Sequence, residues 1–139
     1  MGEQAKSRQP ARRDRCGRVG QVGEDFAAEY VESLGWRILD RNWRTRFGEL
    51  DLIAADGARL VIVEVKTRMS ATYDDPVAAV TAQKLRRMRL LTRQWLAAQP
   101  DGSPWWEEIR FDVISLRLDY RHPQDREQAT LRHHTGLVE

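Results

Sequence analysis

Two short apolar runs in the middle of the chain carry charges that a buried strand would not need. GELDLIAA (48–55) holds Glu49 and Asp51, and RLVIVEVK (59–66) holds Glu64 and Lys66. Side chains alternate along a strand. Glu49 and Asp51 are therefore expected on the face of Ile53, and Glu64 and Lys66 on the face of Leu60 and Ile62. Asp56-Gly57 between the runs is a hairpin signal. A tight turn at that dipeptide sets Glu49 opposite Glu64, and Asp51 opposite Ile62 and diagonal to Glu64. Three carboxylates and a lysine are thus expected on one side of the sheet, at the end away from the turn.

Carboxylates this close repel, and burying them unpaired costs several kcal/mol or raises their pKa. One lysine cannot neutralise three acids. A hard divalent cation can, and all-oxygen ligation favours Mg²⁺ or Mn²⁺ over zinc. Such an ion polarises a phosphoryl oxygen or acidifies a bound water. The plainer alternative is an edge-of-sheet salt bridge in which Glu64 and Lys66 satisfy each other. Lysine usage bears on the choice, because the chain has 20 arginines and only three lysines, Lys6, Lys66 and Lys84. A compact ammonium two residues from Glu64 can orient a water, which a forked guanidinium does less easily. Lys84 falls within the apolar stripe of its helix, where it either snorkels or reaches a phosphate above the sheet.

The elements that must position these groups follow from periodicity. Residues 18–34 read as a helix with Val19, Val22, Phe26, Tyr30 and Leu34 on one stripe and Gly35 to end it. WRILDRNW (36–43) reads as a strand, followed by the two charged strands. Asp75-Pro76 offers a cap for a helix over about 77–98, with Val77, Val80, Met88, Leu91 and Trp95 inward. The run from Gln99 to Pro104 is a loop, and IRFDVISLR (109–117) is a returning strand. Trp105-Trp106 before that strand suits a core anchor better than a base-stacking wedge. The order helix, strand, strand, strand, helix, strand predicts an α/β fold with a mixed central sheet flanked by helices.

At 139 residues and 16.2 kDa, with 41% hydrophobic and 32% charged residues, the chain suits one globular domain. Residues 1–17 read as a basic disordered arm and 118–139 as a polar mobile tail holding every histidine (His122, His133, His134). A single cysteine, Cys16, excludes an internal disulfide and a multi-cysteine zinc site. No run of 18 apolar residues occurs, so a cytoplasmic protein without a membrane segment is expected. Basic clusters at the N-terminus, at Arg41, Arg44 and Arg46, and over Lys84–Arg93 suit a polyanion, of which nucleic acid is the commonest.

GELDLIA and VIVEVKTR, after a helix bearing Glu24 and a segment ending in RNWR, resemble the YraN family of small bacterial proteins. The same arrangement is similar to the PD-(D/E)xK nuclease superfamily, including archaeal Holliday-junction resolvases. The resemblance spans about residues 18–117 and implies a restriction-endonuclease-like α-β-β-β-α-β core. It implies that Asp51 and Glu64, with the backbone carbonyl of Val65, hold Mg²⁺ or Mn²⁺, and that Lys66 positions the attacking water. Glu24 matches the acid that the superfamily's first helix often adds, and Glu49 would stand in the outer shell. Leu50 replaces the proline of the superfamily's name, a position without a chemical role.

The activity so implied is metal-dependent hydrolysis of DNA phosphodiesters to 5′-phosphate and 3′-hydroxyl ends. Arg44, Arg46, Arg68 and Lys84 flank the acids in sequence and are the expected phosphate contacts. No base-reading helix stands out, so branched or flapped DNA in repair or recombination is the expected substrate, with RNA an open alternative. The resolvase resemblance is compatible with a homodimer. The rival reading is a non-catalytic nucleic-acid-binding module of a DNA-processing complex.

Overall fold

A computed structural model describes residues 11–69 and 80–138. Helix α1 (Ala11–Ser33) precedes an antiparallel meander of β1 (Arg37–Thr45), β2 (Gly48–Asp56) and β3 (Arg59–Arg68). Helix α2 (Ala82–Ala97) leads to β4 (Glu108–Arg117), which runs parallel to β3. A 3₁₀ turn (Arg126–Gln128) and β5 (Thr130–His134), antiparallel to β4, complete the sheet in the order β1-β2-β3-β4-β5. A parallel step needs a crossover connection, and α2 lies in it. The α-β-β-β-α-β core expected from the sequence is present, with β5 added.

The sheet is buried on both faces. Phe26, Ala27 and Val31 of α1 pack on Leu52, Val61, Val63, Ile114 and Leu116. Leu85, Met88, Leu91 and Trp95 of α2 pack on Leu50, Ile53, Leu60, Ile62 and Phe111. A strand covered on both sides reads as an unbroken apolar run, as LVIV of β3 does.

Helix α1 stops where Gly35 takes φ +90° and donates its N–H to the Glu32 carbonyl at 2.9 Å. Leu34, expected on the apolar stripe, therefore falls in the turn and is exposed, and Val31 fills the inward place. The helix also begins at Ala11, within the stretch expected to be an arm. Alanine and arginine propagate a helix without burial, so no apolar stripe announced that turn. Residues 1–10 lie outside the described residues, as do Asp75-Pro76 and Val77. The described start of α2 is capped by Thr81, whose Oγ1 accepts the Lys84 N–H at 3.1 Å.

The tail expected to be mobile contributes structure. His133 on β5 turns inward, with Nε2 2.8 Å from Asp112 Oδ2 and Nδ1 3.0 Å from the Tyr30 hydroxyl. Asp112 is fully buried and also accepts two bonds from Arg110 and one from the Gly136 N–H. A buried carboxylate needs donors, and β5 delivers one. Burial pushes the Asp112 carboxyl up, but the bonds from His133 and Arg110 outweigh it and hold its pKa below the ordinary range. Of the tryptophan pair, Trp106 packs against the α2-side core, whereas Trp105 is 81% exposed.

Candidate active site

The β2–β3 hairpin sets the register. Its pairs run from Asp56↔Arg59 to Leu52↔Val63, with Gly57 at φ +62° in the turn. The turn therefore lies one residue later than the sequence suggested, at Gly57-Ala58. Parity is unchanged, and Ile53 still shares a face with Ile62.

Beyond Leu52 the alternation breaks. Leu50 packs in the α2-side core, but Leu52, two residues on, packs in the α1-side core. The neighbouring strand does the same. Arg41 meets Asp25 of α1 at 2.7 Å, while Trp43 packs on the α2 side. Between them Asn42 takes φ +52°, a left-handed conformation that asparagine tolerates better than most residues. One left-handed residue turns both paired strands over at the level of Asp51. Glu49 consequently lies on the α1 side, not on the face of Ile53 as expected.

Asp51 sits in the fork where the hairpin ladder ends. Its Oδ2 accepts the backbone N–H of Val65 at 2.9 Å, so the carboxylate points across towards β3. Burial, then the charge of Glu64, pushes its pKa up to about 7, with Glu24 and Glu49 adding to the rise and the Val65 bond opposing it.

Glu24 reaches the same region from α1. A Cβ at Gly23 would stand 1.8 Å from Thr67 Oγ1, so only glycine lets the helix approach β3 this closely. The close approach carries the next residue, Glu24, to the end of the sheet. Burial raises the Glu24 pKa; a hydrogen bond from Asn42 lowers it, and Glu49 raises it.

On the α2 side, Glu64 is buried and its Oε2 lies 2.5 Å from Lys84 Nζ. The ion pair considered between Glu64 and Lys66 is thus made by Lys84 instead. Lys66 is half-buried and, by alternation, shares the face of Glu64. Arg44 is exposed and holds Glu49 at 2.7 Å, while Arg46 stacks on Phe47 with its guanidinium 4.8 Å from the ring centre. Arg68 ends β3, in register with Arg117.

The expected convergence of three acids on one face is therefore replaced by a straddling arrangement. Glu24 and Glu49 lie on the α1 side, Glu64 on the α2 side and Asp51 between them. Among the described residues, no three acids, histidines or cysteines stand close enough together to hold an ion. The donor set still fits Mg²⁺, which takes one or two carboxylates and keeps several waters. Were an ion bound there, Asp51 and Glu64 would be those two, with the Val65 carbonyl as the backbone oxygen.

Three positioning residues escaped the sequence reading: Asn42, Gly23 and His133. Asn42 carried a signal as a turn-prone residue inside a strand, and Gly23 as a glycine within a helix where no bend was needed. His133, which holds the tail to Asp112 rather than the acids to one another, had none, because its partner lies twenty-one residues earlier.

The fold and these positions define an α/β chain with a restriction-endonuclease-like core, its acids gathered where β2 and β3 part. The chain belongs to the YraN family: the model of the uncharacterised protein family UPF0102 matches residues 23–116. It is 49% identical over 102 residues to a UPF0102 protein of Rhodococcus opacus, covering 73% of this chain and 84% of that one. A UPF0102 protein of Kineococcus radiotolerans is 44% identical over 119 residues, covering 86% of this chain and 92% of its own length. The matched span contains Glu24, Asp51, Glu64 and Lys66. No helix among the described residues is long and apolar enough to cross a membrane.

Proposed function

We propose that this chain is a Mg²⁺- or Mn²⁺-dependent DNA endonuclease acting on branched or flapped DNA in repair or recombination. The observation that carries the reading is Asp51, a carboxylate held in the hairpin fork beside Glu64 with a pKa pushed up to about 7. Burial beside a like charge costs a carboxylate, and a bound cation would offset that cost. Asp51, Glu64 and the Val65 carbonyl would hold the ion, with Glu24 and Glu49 behind them. When bound, the ion would supply charge stabilisation to the phosphoryl group and acidify a water. Lys66 would orient that water for in-line attack. Arg46, Arg44 and Arg68 would hold phosphates and fix the duplex without reading its sequence.

A second reading, a non-catalytic nucleic-acid-binding module, is favoured by one observation: Lys84 already neutralises Glu64. The deciding experiment incubates purified protein with labelled linear, flapped and four-way DNAs, and a matched RNA, under Mg²⁺, Mn²⁺ or EDTA. Cutting that requires metal and is lost in Asp51→Asn supports the enzyme. Metal-independent binding without cutting supports the module.

A further inference from the structure

Among the large apolar side chains exposed on the described residues, Phe47 directly precedes the strand that carries Asp51. It stands in the β1–β2 turn, 48% exposed. The turn beneath it is held firmly. The Phe47 N–H donates to Thr45 Oγ1 at 3.0 Å, and Thr45 Oγ1 lies 3.4 Å from Gln94 of α2. Gly48, at φ +143°, brings the backbone so near α2 that a Cβ there would meet the Arg87 and Leu91 side chains at 3.3 Å. An aromatic ring is thus presented to solvent on a turn tied to α2.

The surroundings name the chemistry of what covers it. The Arg46 guanidinium lies over one face of the ring at 4.8 Å, the exposed Arg44 stands near the end of β1 three residues before it, and the exposed Arg87 of α2 lies against the adjoining Gly48. An exposed ring set among arginines suits an unstacked nucleobase and its phosphates. Paired bases inside a continuous duplex present no open face to such a ring. A base at a fork, flap or strand end does.

We infer that Phe47 is the residue that selects unpaired DNA, stacking on the first base beyond the duplex and so setting where the strand is cut. The inference rests on the nuclease reading of the acidic site and gives it a substrate geometry. Phe47 precedes Asp51 by four residues, at the start of the strand that carries it.

The test uses the full chain with flapped and continuous duplexes carrying 2-aminopurine at the first unpaired position, in EDTA for binding and in Mn²⁺ for mapping the cut. The parent protein should quench 2-aminopurine on the flap and prefer it to the continuous duplex. Phe47→Ala should lose the quenching and lower the flap-over-duplex affinity ratio by about 5- to 100-fold. It should also scatter the cut position, and Phe47→Trp should restore both. Equal weakening on both DNAs, or quenching that survives Phe47→Ala, would overturn the assignment while leaving the nuclease reading intact. A parent protein that binds these DNAs with the same Phe47 dependence but never cuts would support the stacking role and sink the nuclease reading. Binding to no DNA would sink both.

Discussion

Lys84 Nζ lies 2.5 Å from Glu64 Oε2, with the carboxylate buried and the lysine about a third exposed. An ammonium thus stands against one of the two carboxylates that a divalent ion would need. On the nuclease reading Lys84 would compete with the ion for Glu64 and would be released to a phosphate only once the ion had taken Glu64.

The first expectation concerns that competition. Lys84→Met should leave Glu64 uncompensated and lower stability in EDTA by about 1–2 kcal/mol, discounted for the lysine's exposure. Mn²⁺ should then recover most of the loss, and bind more tightly than to the parent. Paired thermal melts with and without Mn²⁺ check this. An equal Mn²⁺ response in both proteins would show that Glu64 is not a ligand.

Asp51 gives the pH dependence. Its folded pKa of about 7 lies above the ordinary carboxylate value of 3.8. The metal-free folded state therefore binds the proton more tightly than the unfolded state does. Stability on this account is greatest below about pH 4, falls as pH rises to about 7, and is flat above, by at most about 4 kcal/mol. Asp51→Asn should remove the slope and be the more stable protein at pH 8 in EDTA. Because the ion must displace the proton, Mg²⁺ affinity should rise about tenfold per pH unit up to 7 and then level. Chemical denaturation from pH 4 to 8, and titration calorimetry in two buffers, measure both slopes.

Lys66→Arg separates charge from chemistry. It preserves the positive charge near Glu64, and it should fold, take up Mn²⁺ and bind DNA nearly as the parent does. Cleavage should fall by about 10²-fold or more, because the broader, forked guanidinium would displace the water that Lys66 orients. Single-turnover cleavage at saturating Mn²⁺ is the measurement, and an unchanged rate would remove Lys66 from the chemistry.

Arg44 and Arg46 differ in what already holds them. Arg44 is paired with Glu49, so its release must accompany any phosphate contact, whereas Arg46 lies over the Phe47 ring. Arg46→Ala should lower the slope of log affinity against log salt by about 0.9, and Arg44→Ala by less. Fluorescence anisotropy over a salt series checks the order of the two.

Much of this site could be read from local pattern. Period-two alternation placed Ile53 with Ile62, and a turn misplaced by one residue did no harm because parity survived. What alternation could not contain was its own interruption. A left-handed Asn42 costs little locally and leaves no mark in apolar periodicity, yet it carries Glu49 to the other face. Long-range pairing was equally hidden. Lys84 and Glu64 are twenty residues apart in sequence, and Asp112 with His133 twenty-one. Neither pair has a local signature, and only the sheet order joins them.

The turnover of β1 and β2 at Asn42 has a consequence for how such a chain can change over generations. Asp51 belongs to neither core; it is aimed by a backbone N–H and by the handedness of one neighbouring residue. Apolar side chains on either face can be exchanged for others of similar volume without re-aiming it. The two layers are therefore at liberty to drift separately, each repacking against its own helix. Natural variation should accumulate in the paired apolar positions of each layer while Gly23 stays fixed and position 42 keeps to asparagine, glycine or aspartate, the residues that tolerate a left-handed backbone.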